Sequence, residues 1–589
     1  MQSLTRFFSG LSLRWWLLPG VFLLLWNLSY APFWNPDEGR YASAALEMAQ
    51  PFDGSPSDWV MPYLNSIPRL NKPPLVYWLG AASYRVFGVG EASARLIPAL
   101  ASLAVMIGLW TLGRSMFGNS TLGKTQEKDN GLKAGERAGV AAALIWATSL
   151  LPAGLGRTFN TDMLLCAAMF FVFGGIFLAG EDSATRYGRI RPYLWSGIGM
   201  GLALVAKGPV GVALPLLIGA FYLTLAKRWS KISFVGLAGA VVLALLLGAP
   251  WYLAMEQRVP GFIRRFVFEE NLGRFSGKGE FHDPTPFWYY LPIALFGVLP
   301  WTSFFIAAVA RARSFVRWDI ADPNLRGRLF CWLWCVLLIG FFSLSSTKLV
   351  SYILPAFPAL ALLLGESFGV GEWPRAVRRA ALVLSTLFSL ILGVAATVYL
   401  TNDNTLPRAE GLPYAIAMTA ILLVGALGAW LFRGDRWKIF GTQALTAIVL
   451  LCTLLSLAGR VTFYEDASPI LRALAPQLQP DDRVVLYRTF QPSAIFYTKR
   501  TIPIYEFRNN SGLDETHPNY KKLYLPRASA ALLNQSPQRV FVLVRWTHDD
   551  ASHFRNWQLL AHNNDFRLLS NRTVPGFKYD FTAPKKRSR

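Results

Sequence analysis

Long apolar runs, separated by short polar loops, fill the first 460 residues of the chain. A helix needs about 20 mostly apolar residues to cross a bilayer. Such runs begin near Arg14, Ala94, Ala138, Met163, Leu194, Gly208, Phe234, Trp288, Leu329, Leu349, Ala380, Tyr414 and Phe440. They predict about 13 transmembrane helices. Those starting at Leu194 and Gly208 read as short segments joined by a tight turn at Lys207, Gly208 and Pro209. From Val461 onward the period changes. "DDRVVLYRTF", "TIPIYEF", "RVFVLVRW" and "FRLLSNRT" read as strands, and "SPILRALAPQL" and "DASHFRNWQLLA" as helices between them. The predicted organisation is a polytopic α-helical membrane domain, residues 1–460, followed by a soluble α/β domain, residues 461–589.

The first run follows Arg6 and Arg14 and ends in Tyr30, Phe33 and Trp34, an interfacial aromatic belt rather than a small-residue cleavage site. It is expected to stay as an uncleaved first span. Charge then sets the orientation. The loops "GKTQEKDNGLKAGER", "TRYGRIR", "KRWSK", "RARSFVRW" with "NLRGR", "EWPRAVRR" and "RGDRWK" are every second loop, and all are rich in Lys and Arg. Basic loops stay on the cytoplasmic side. The N-terminus is therefore placed inside and residues 461–589 outside, in the periplasm.

Composition agrees with this class. Of 589 residues, 53% are hydrophobic and 16% are charged, too apolar a balance for one soluble domain of this length. The net charge of +23 is carried by the alternate loops, so it points to membrane topology and not to nucleic acid. Cys166, Cys331, Cys335 and Cys452 all sit in apolar runs and read as buried side chains.

The polar chemistry collects in the outside loops. Asp37, Glu38, Arg40 and Tyr41 stand in "NPDEGRY", Lys72 in "RLNKPPLVYW", Asp162 in "FNTDMLL", Lys207 in "LVAKGPVG", and Lys348 and Tyr352 in "SSTKLVSYILP". Each has a plain structural alternative. Asp37 and Glu38 can be first-turn helix acids. Asp162 can be an acid beside a Thr161 cap. Lys207 and Lys348 can be anchors at the membrane surface. His282, in "EFHDP", can be an ordinary loop histidine, and its spacing to the flanking acids matches no standard metal motif. Their shared side favours one composite site. Lys and Arg around two Asp suit a phosphate-bearing substrate and a carboxylate that takes a proton or stabilises charge. The position at a membrane boundary makes that substrate a lipid.

"NPDEGRYASAALEM", "DWVMPYLNSIPRLNKPPLVYWL", "FNTDMLL", "GLALVAKGPVG" and "FSLSSTKLVSYILPAFPALALLLG" resemble the membrane glycosyltransferases of the protein O-mannosyltransferase superfamily, most closely the aminoarabinose–lipid A transferase branch. The resemblance covers nearly the whole chain. It implies a polyprenyl-phosphate sugar donor, with transfer on the periplasmic face of a bacterial inner membrane to lipid A or another periplasmic glycolipid, a lipopolysaccharide modification. It implies Asp37 and Asp162 as catalytic aspartates, and Arg40, Lys72 and Tyr352 as contacts of the donor phosphate. It matches Lys207 to the lysine of a "TKGP"-like turn, and Glu38, Tyr41 and Lys348 are expected as further substrate contacts. The acid that the branch usually carries before Lys-Pro-Pro, implicated in metal binding, is here Asn71, and a histidine near "EENLGRF" is here Asn271. No cofactor and no metal are therefore expected. A flippase or transporter of the same lipid is the alternative class. A transporter would place its site at the bilayer midplane and often show repeated halves, neither of which is visible here. Transfer to a protein is a further alternative.

Overall fold

The computed structural model describes residues 13–52, 57–118, 125–181, 186–273, 285–370, 373–402, 405–507, 513–545 and 554–579. In chain order the principal helices are α1 (Leu18–Leu25), α2 (Asp37–Ala49), α3 (Leu75–Phe87), α4 (Glu91–Phe117), α5 (Thr125–Thr148), α6 (Asp162–Gly180), α7 (Arg186–Ala206), α8 (Val210–Leu225) and α9 (Phe234–Arg258). They continue as α10 (Pro323–Ser343), α11 (Phe357–Gly369), α12 (Arg375–Asn402), α13 (Arg408–Leu431), α14 (Arg436–Glu465), α15 (Ser468–Leu474) and α16 (Ser493–Thr498).

Among the described residues, eight helices are long and apolar enough to span a membrane, and nine if the pair Phe287–Gly297 and Trp301–Phe315, bent by 101°, counts as one. The expected figure of about 13 is not reached by this measure. The expected starts at Arg14 and Gly208 fall on helices of 10–17 residues, too short by length alone. Those at Ala138 and Leu194 fall on α5 and α7, whose N-terminal turns are rich in charge.

The chain divides into two compact units. One holds residues 1–26, 98–393 and 419–452. Its helices pack through small residues. A Cβ on Gly175 would stand 2.5 Å from Pro192 O, and one on Gly199 would stand 2.6 Å from Ala168 O. Glycine at both positions lets α6 and α7 approach backbone to backbone, the usual device where lipid offers no hydrophobic drive for helix association. Behind them Phe173 stacks on Trp334 at 4.1 Å, and the Trp334 indole donates to Pro355 O at 2.7 Å.

Acidic side chains at one end of this unit collect arginines from several loops. Glu181, just after α6, accepts from Arg326 at 2.8 and 2.6 Å and faces Arg228 at 3.8 Å. Glu366 pairs with Arg311 at 2.6 Å and Arg328 at 3.1 Å. Asp162 lies at the opposite end of α6 from Glu181, about 28 Å away for a helix of this length. The loops expected on one face thus meet one another.

The other unit holds residues 27–97, 394–418 and 453–589. Its centre is a six-stranded sheet in the order β5-β4-β3-β6-β8-β7. The strands are β3 (Arg483–Tyr487), β4 (Ile504–Tyr505), β5 (Tyr524–Leu525), β6 (Val540–Arg545), β7 (Gln558–His562) and β8 (Phe566–Ser570). β3 is parallel to β4 and β6, and β8 is antiparallel to β6 and β7. Val485, Tyr487, Val542, Val544 and Phe554 form its buried core. The strands expected at β3, β4, β6 and β8 are present. The segment expected to be helical through Ala561 instead contributes β7, because Gln558–His562 pairs as an edge strand with β8. A two-stranded hairpin, β1 (Tyr63–Leu64) and β2 (Ile67–Pro68), precedes α3 in the same unit.

Candidate active site

"NPDEGRY" forms the entry to α2, after a cis Asn35–Pro36 bond. Asn35 is fixed on every side. Its Nδ2 donates to Asp466 Oδ1 at 2.8 Å, Ser468 Oγ at 2.8 Å and Ser493 Oγ at 2.7 Å. Its Oδ1 accepts from the Ser493 amide at 3.1 Å, and its own amide donates to Asp466 Oδ2 at 2.9 Å. Burial pushes the Asp466 carboxyl above its ordinary range, and the hydrogen bonds it accepts oppose that shift.

The next two acids separate completely. Glu38 is 2% exposed. It accepts from Arg95 at 2.9 and 2.7 Å in a bidentate pair, and from the Trp34 amide at 3.1 Å. Arg95 also donates to the carbonyls of Leu28, Ala31 and Pro32. Asp37, one residue earlier, has a side chain 73% exposed, with Arg40 at 3.7 Å. Successive helical residues point about 100° apart, which places one acid inside and one outside. Glu38, expected among the substrate contacts, is turned inward to Arg95. Tyr41 is also buried, stacked 5.9 Å from Tyr77.

Arg40 is mostly buried, with Phe490 under its guanidinium at 5.6 Å. Burial first, and the neighbouring Arg69 second, pull its ionisation down from the ordinary arginine value. Arg69 lies over Tyr41 at 5.0 Å and Tyr77 at 5.9 Å, and donates through Nε to Asn71 at 3.3 Å. Lys72 is half-buried just ahead of α3, and Asn71 is buried. Further along α2, Glu47 is fully buried and accepts from the amides of Asn65 at 2.6 Å and Ser66 at 3.0 Å. Burial pushes its carboxyl up to about 7.

In the helical unit, Asp162 opens α6 and forms an ion pair with Lys207. The Thr161 cap, the structural alternative for Asp162, is not formed. Thr161 makes no side-chain cap bond, and the Asp162 amide donates instead to Asn160 Oδ1 at 2.9 Å. Lys207 also lies over the Tyr352 ring at 4.5 Å. Its turn is closed by Gly208 at φ +100°, a left-handed position that favours glycine, and Pro209 then starts α8. Asp162, Lys207 and Tyr352 are thus brought together from three separate sequence motifs. Lys348 instead donates to Thr285 O at 3.2 Å.

Asn271 donates to Phe266 O at 2.7 Å, within its own segment. His282 and its neighbouring acids lie outside the described residues. Among the described residues, no three His, Cys, Asp or Glu side chains gather where they could hold a metal ion. Arg69 and Arg95 are the residues that sequence reasoning missed. A charged side chain inside the apolar run "ASARLIPAL" was the available signal for Arg95.

Residues 71–123 and 131–253 match the family described as dolichyl-phosphate-mannose-protein mannosyltransferase. With its many helices, this defines a polytopic membrane glycosyltransferase. The chain is 30% identical over 450 residues to the undecaprenyl phosphate-α-4-amino-4-deoxy-L-arabinose arabinosyl transferase of Aeromonas salmonicida, covering 74% of this chain and 75% of that one. It is 29% identical over 423 residues to the transferase of the same name from Pseudomonas aeruginosa, covering 71% and 70%. The chain belongs to this arabinosyl transferase family. Its fold is that of ArnT from Cupriavidus metallidurans bound to undecaprenyl phosphate, with a TM-score of 0.77 over 96% of this chain and 98% of that one, at 22% identity.

Proposed function

We propose that this glycosyltransferase moves a sugar from a polyprenyl-phosphate donor to lipid A or another periplasmic glycolipid, at the outer face of the bacterial inner membrane. By the names of its relatives, the donor is undecaprenyl phosphate carrying 4-amino-4-deoxy-L-arabinose. The observation that carries the reading is the split within one turn of α2. Asp37 stands open beside Arg40, while Glu38 is locked to Arg95. An exposed carboxylate next to cations suits a reaction in which a phosphate departs.

The acceptor oxygen attacks the anomeric carbon, and the bond from that carbon to the phosphate oxygen breaks. The electron pair leaves with the polyprenyl phosphate, whose charge Arg40 and Lys72 hold. With a hydroxyl acceptor, Asp37 takes its proton. With a phosphate acceptor no base is needed, and Asp37 orients the sugar or stabilises positive charge at the anomeric carbon. Asp162 is assigned the second carboxylate role. Its Lys207 partner supports that assignment, because the ion pair holds the carboxylate in place. The outer-face placement is supported by the basic loops, which are expected inside.

The test is mass spectrometry of lipid A, glycolipids and envelope proteins from a deletion strain and its complement. The reading expects an aminoarabinose-sized mass on lipid A or a glycolipid, restored by the wild-type gene and not by Asp37→Asn. Loss of glycan from a protein alone would overturn the acceptor assignment. Full restoration by the Asp37 variant would overturn the proposed chemistry.

A further inference from the structure

Among the described residues, the donors around α2 that are buried without partners include Nη1 of Arg69, Nε of Arg40 and the hydroxyl of Tyr77. Arg69 is 1% exposed and Tyr77 is fully buried. The Arg69 guanidinium lies against the rings of Tyr41 and Tyr77, and Arg40 feels it as a neighbouring positive charge. Among the described residues Arg69 forms no salt bridge, and Arg40 pairs only with exposed Asp37 at 3.7 Å. Two adjacent cations and a phenol, each with a buried polar atom that lacks a partner, are costly to hold unless a ligand meets them. An acceptor with several charged oxygens offsets that cost, and planar guanidinium is the side chain best shaped for it.

We infer that Arg69, with Arg40 and Tyr77, forms a seat for a phosphate group carried by one of the lipid substrates. Its identity as phosphate rests on the function proposed above; the unsatisfied donors do not. Burial holds the Tyr77 hydroxyl protonated, so it serves as a donor there. Arg69 is thereby a binding residue that no motif in the sequence announced.

The experiment compares purified wild type with Arg69→Met, Arg69→Lys and Tyr77→Phe in detergent. Binding of undecaprenyl phosphate, bisphosphorylated lipid A and inorganic phosphate is followed by tryptophan fluorescence, and stability by thermal melting. Arg69→Met should weaken at least one phosphorylated lipid by roughly tenfold or more, the scale of a lost charge-assisted bond. Arg69→Lys should restore part of it. The Arg69→Met protein without ligand should melt no lower than wild type, since an unpaired buried charge has been removed. A loss confined to undecaprenyl phosphate assigns the seat to the donor, and one confined to lipid A assigns it to the acceptor. Unchanged affinity for all three probes in folded Arg69→Met overturns the inference. If that variant does not fold, unchanged affinity in Tyr77→Phe does so. Wild type that ignores undecaprenyl phosphate but binds another phosphate through Arg69 would sink the donor reading and leave the seat standing.

Discussion

The two acids of "NPDEGRY" are predicted to fail in opposite ways when neutralised. Glu38→Gln removes a charge that is 2% exposed and bound to an Arg95 side chain 1% exposed. Glutamine can still accept one of the two Arg95 bonds, and the three carbonyls around Arg95 remain. They are neutral and do not cancel a buried positive charge. Breaking one side of such a pair typically costs about 3–5 kcal/mol. Asp37→Asn touches a side chain that is 73% exposed, 3.7 Å from Arg40. An exposed pair at that distance is worth about 0–1 kcal/mol.

Thermal melting in detergent, followed by tryptophan fluorescence, should therefore show Glu38→Gln well below wild type and Asp37→Asn close to it. Turnover on a polyprenyl-phosphate sugar should reverse the order once folded protein is compared. Asp37→Asn should lose roughly 10²-fold or more, the scale of a lost acid–base group. Glu38→Gln should lose activity in step with its folded fraction. If Asp37→Asn transfers sugar at near wild-type rate while folded Glu38→Gln is dead, the catalytic assignment is reversed. If both melt like wild type, the worth assigned to the Glu38–Arg95 pair is wrong.

Gly39→Ala would place a Cβ 2.5 Å from Asn35 Oδ1 and 2.7 Å from the Ser493 amide; a stability loss of about 1–3 kcal/mol is expected, read as a lower melting temperature. Glu47 holds a proton in the folded chain, at about 7 against an ordinary 4.5, that the unfolded chain releases. Stability should therefore fall as pH rises from about 4.5 to 7, by about 3 kcal/mol, and stay level above, and Glu47→Gln should flatten that slope in melts at stepped pH. With Asn71 in place of an acid and Arg69 beside it, transfer is expected to survive EDTA; complete loss, restored by one divalent ion, would refute this. A cysteine at Ser511 should react with an impermeant reagent in intact cells and one at Ser183 should not; the reverse pattern would invert the topology.

Much of the helical architecture was legible because hydropathy and loop charge are local signals. The alternation of basic loops reappears as contacts, with Glu181 gathering Arg228 and Arg326, and Glu366 gathering Arg311 and Arg328. The number of spans was less legible. Charged turns extend α5 and α7, and a 101° bend splits another segment, so an apolar run is not always one straight span. In the sheet, the central strands carried continuous β-branched runs. The edge strands β5 and β7 did not, because an edge is defined by its neighbour more than by its own sequence. Within the site, the 100° step of a helix was enough to separate Asp37 from Glu38. Arg95 and Arg69 stayed hidden because what each touches is set by distant parts of the chain.

Asn35 is bound to Ser493, 458 positions downstream, and to Asp466 and Ser468. During synthesis the Asp37 turn therefore emerges long before its supports exist. At about 5–20 residues per second, the ribosome needs roughly 25–90 s to travel from one to the other. Through that interval, the turn lacks the hydrogen bonds that hold it in the finished protein. A chain released early would carry every transmembrane motif and still lack a fixed catalytic loop. Premature termination before Ser493 thus yields an inert product, and the nascent enzyme cannot act on the lipid pool before the segment from Asp466 to Ser493 is made.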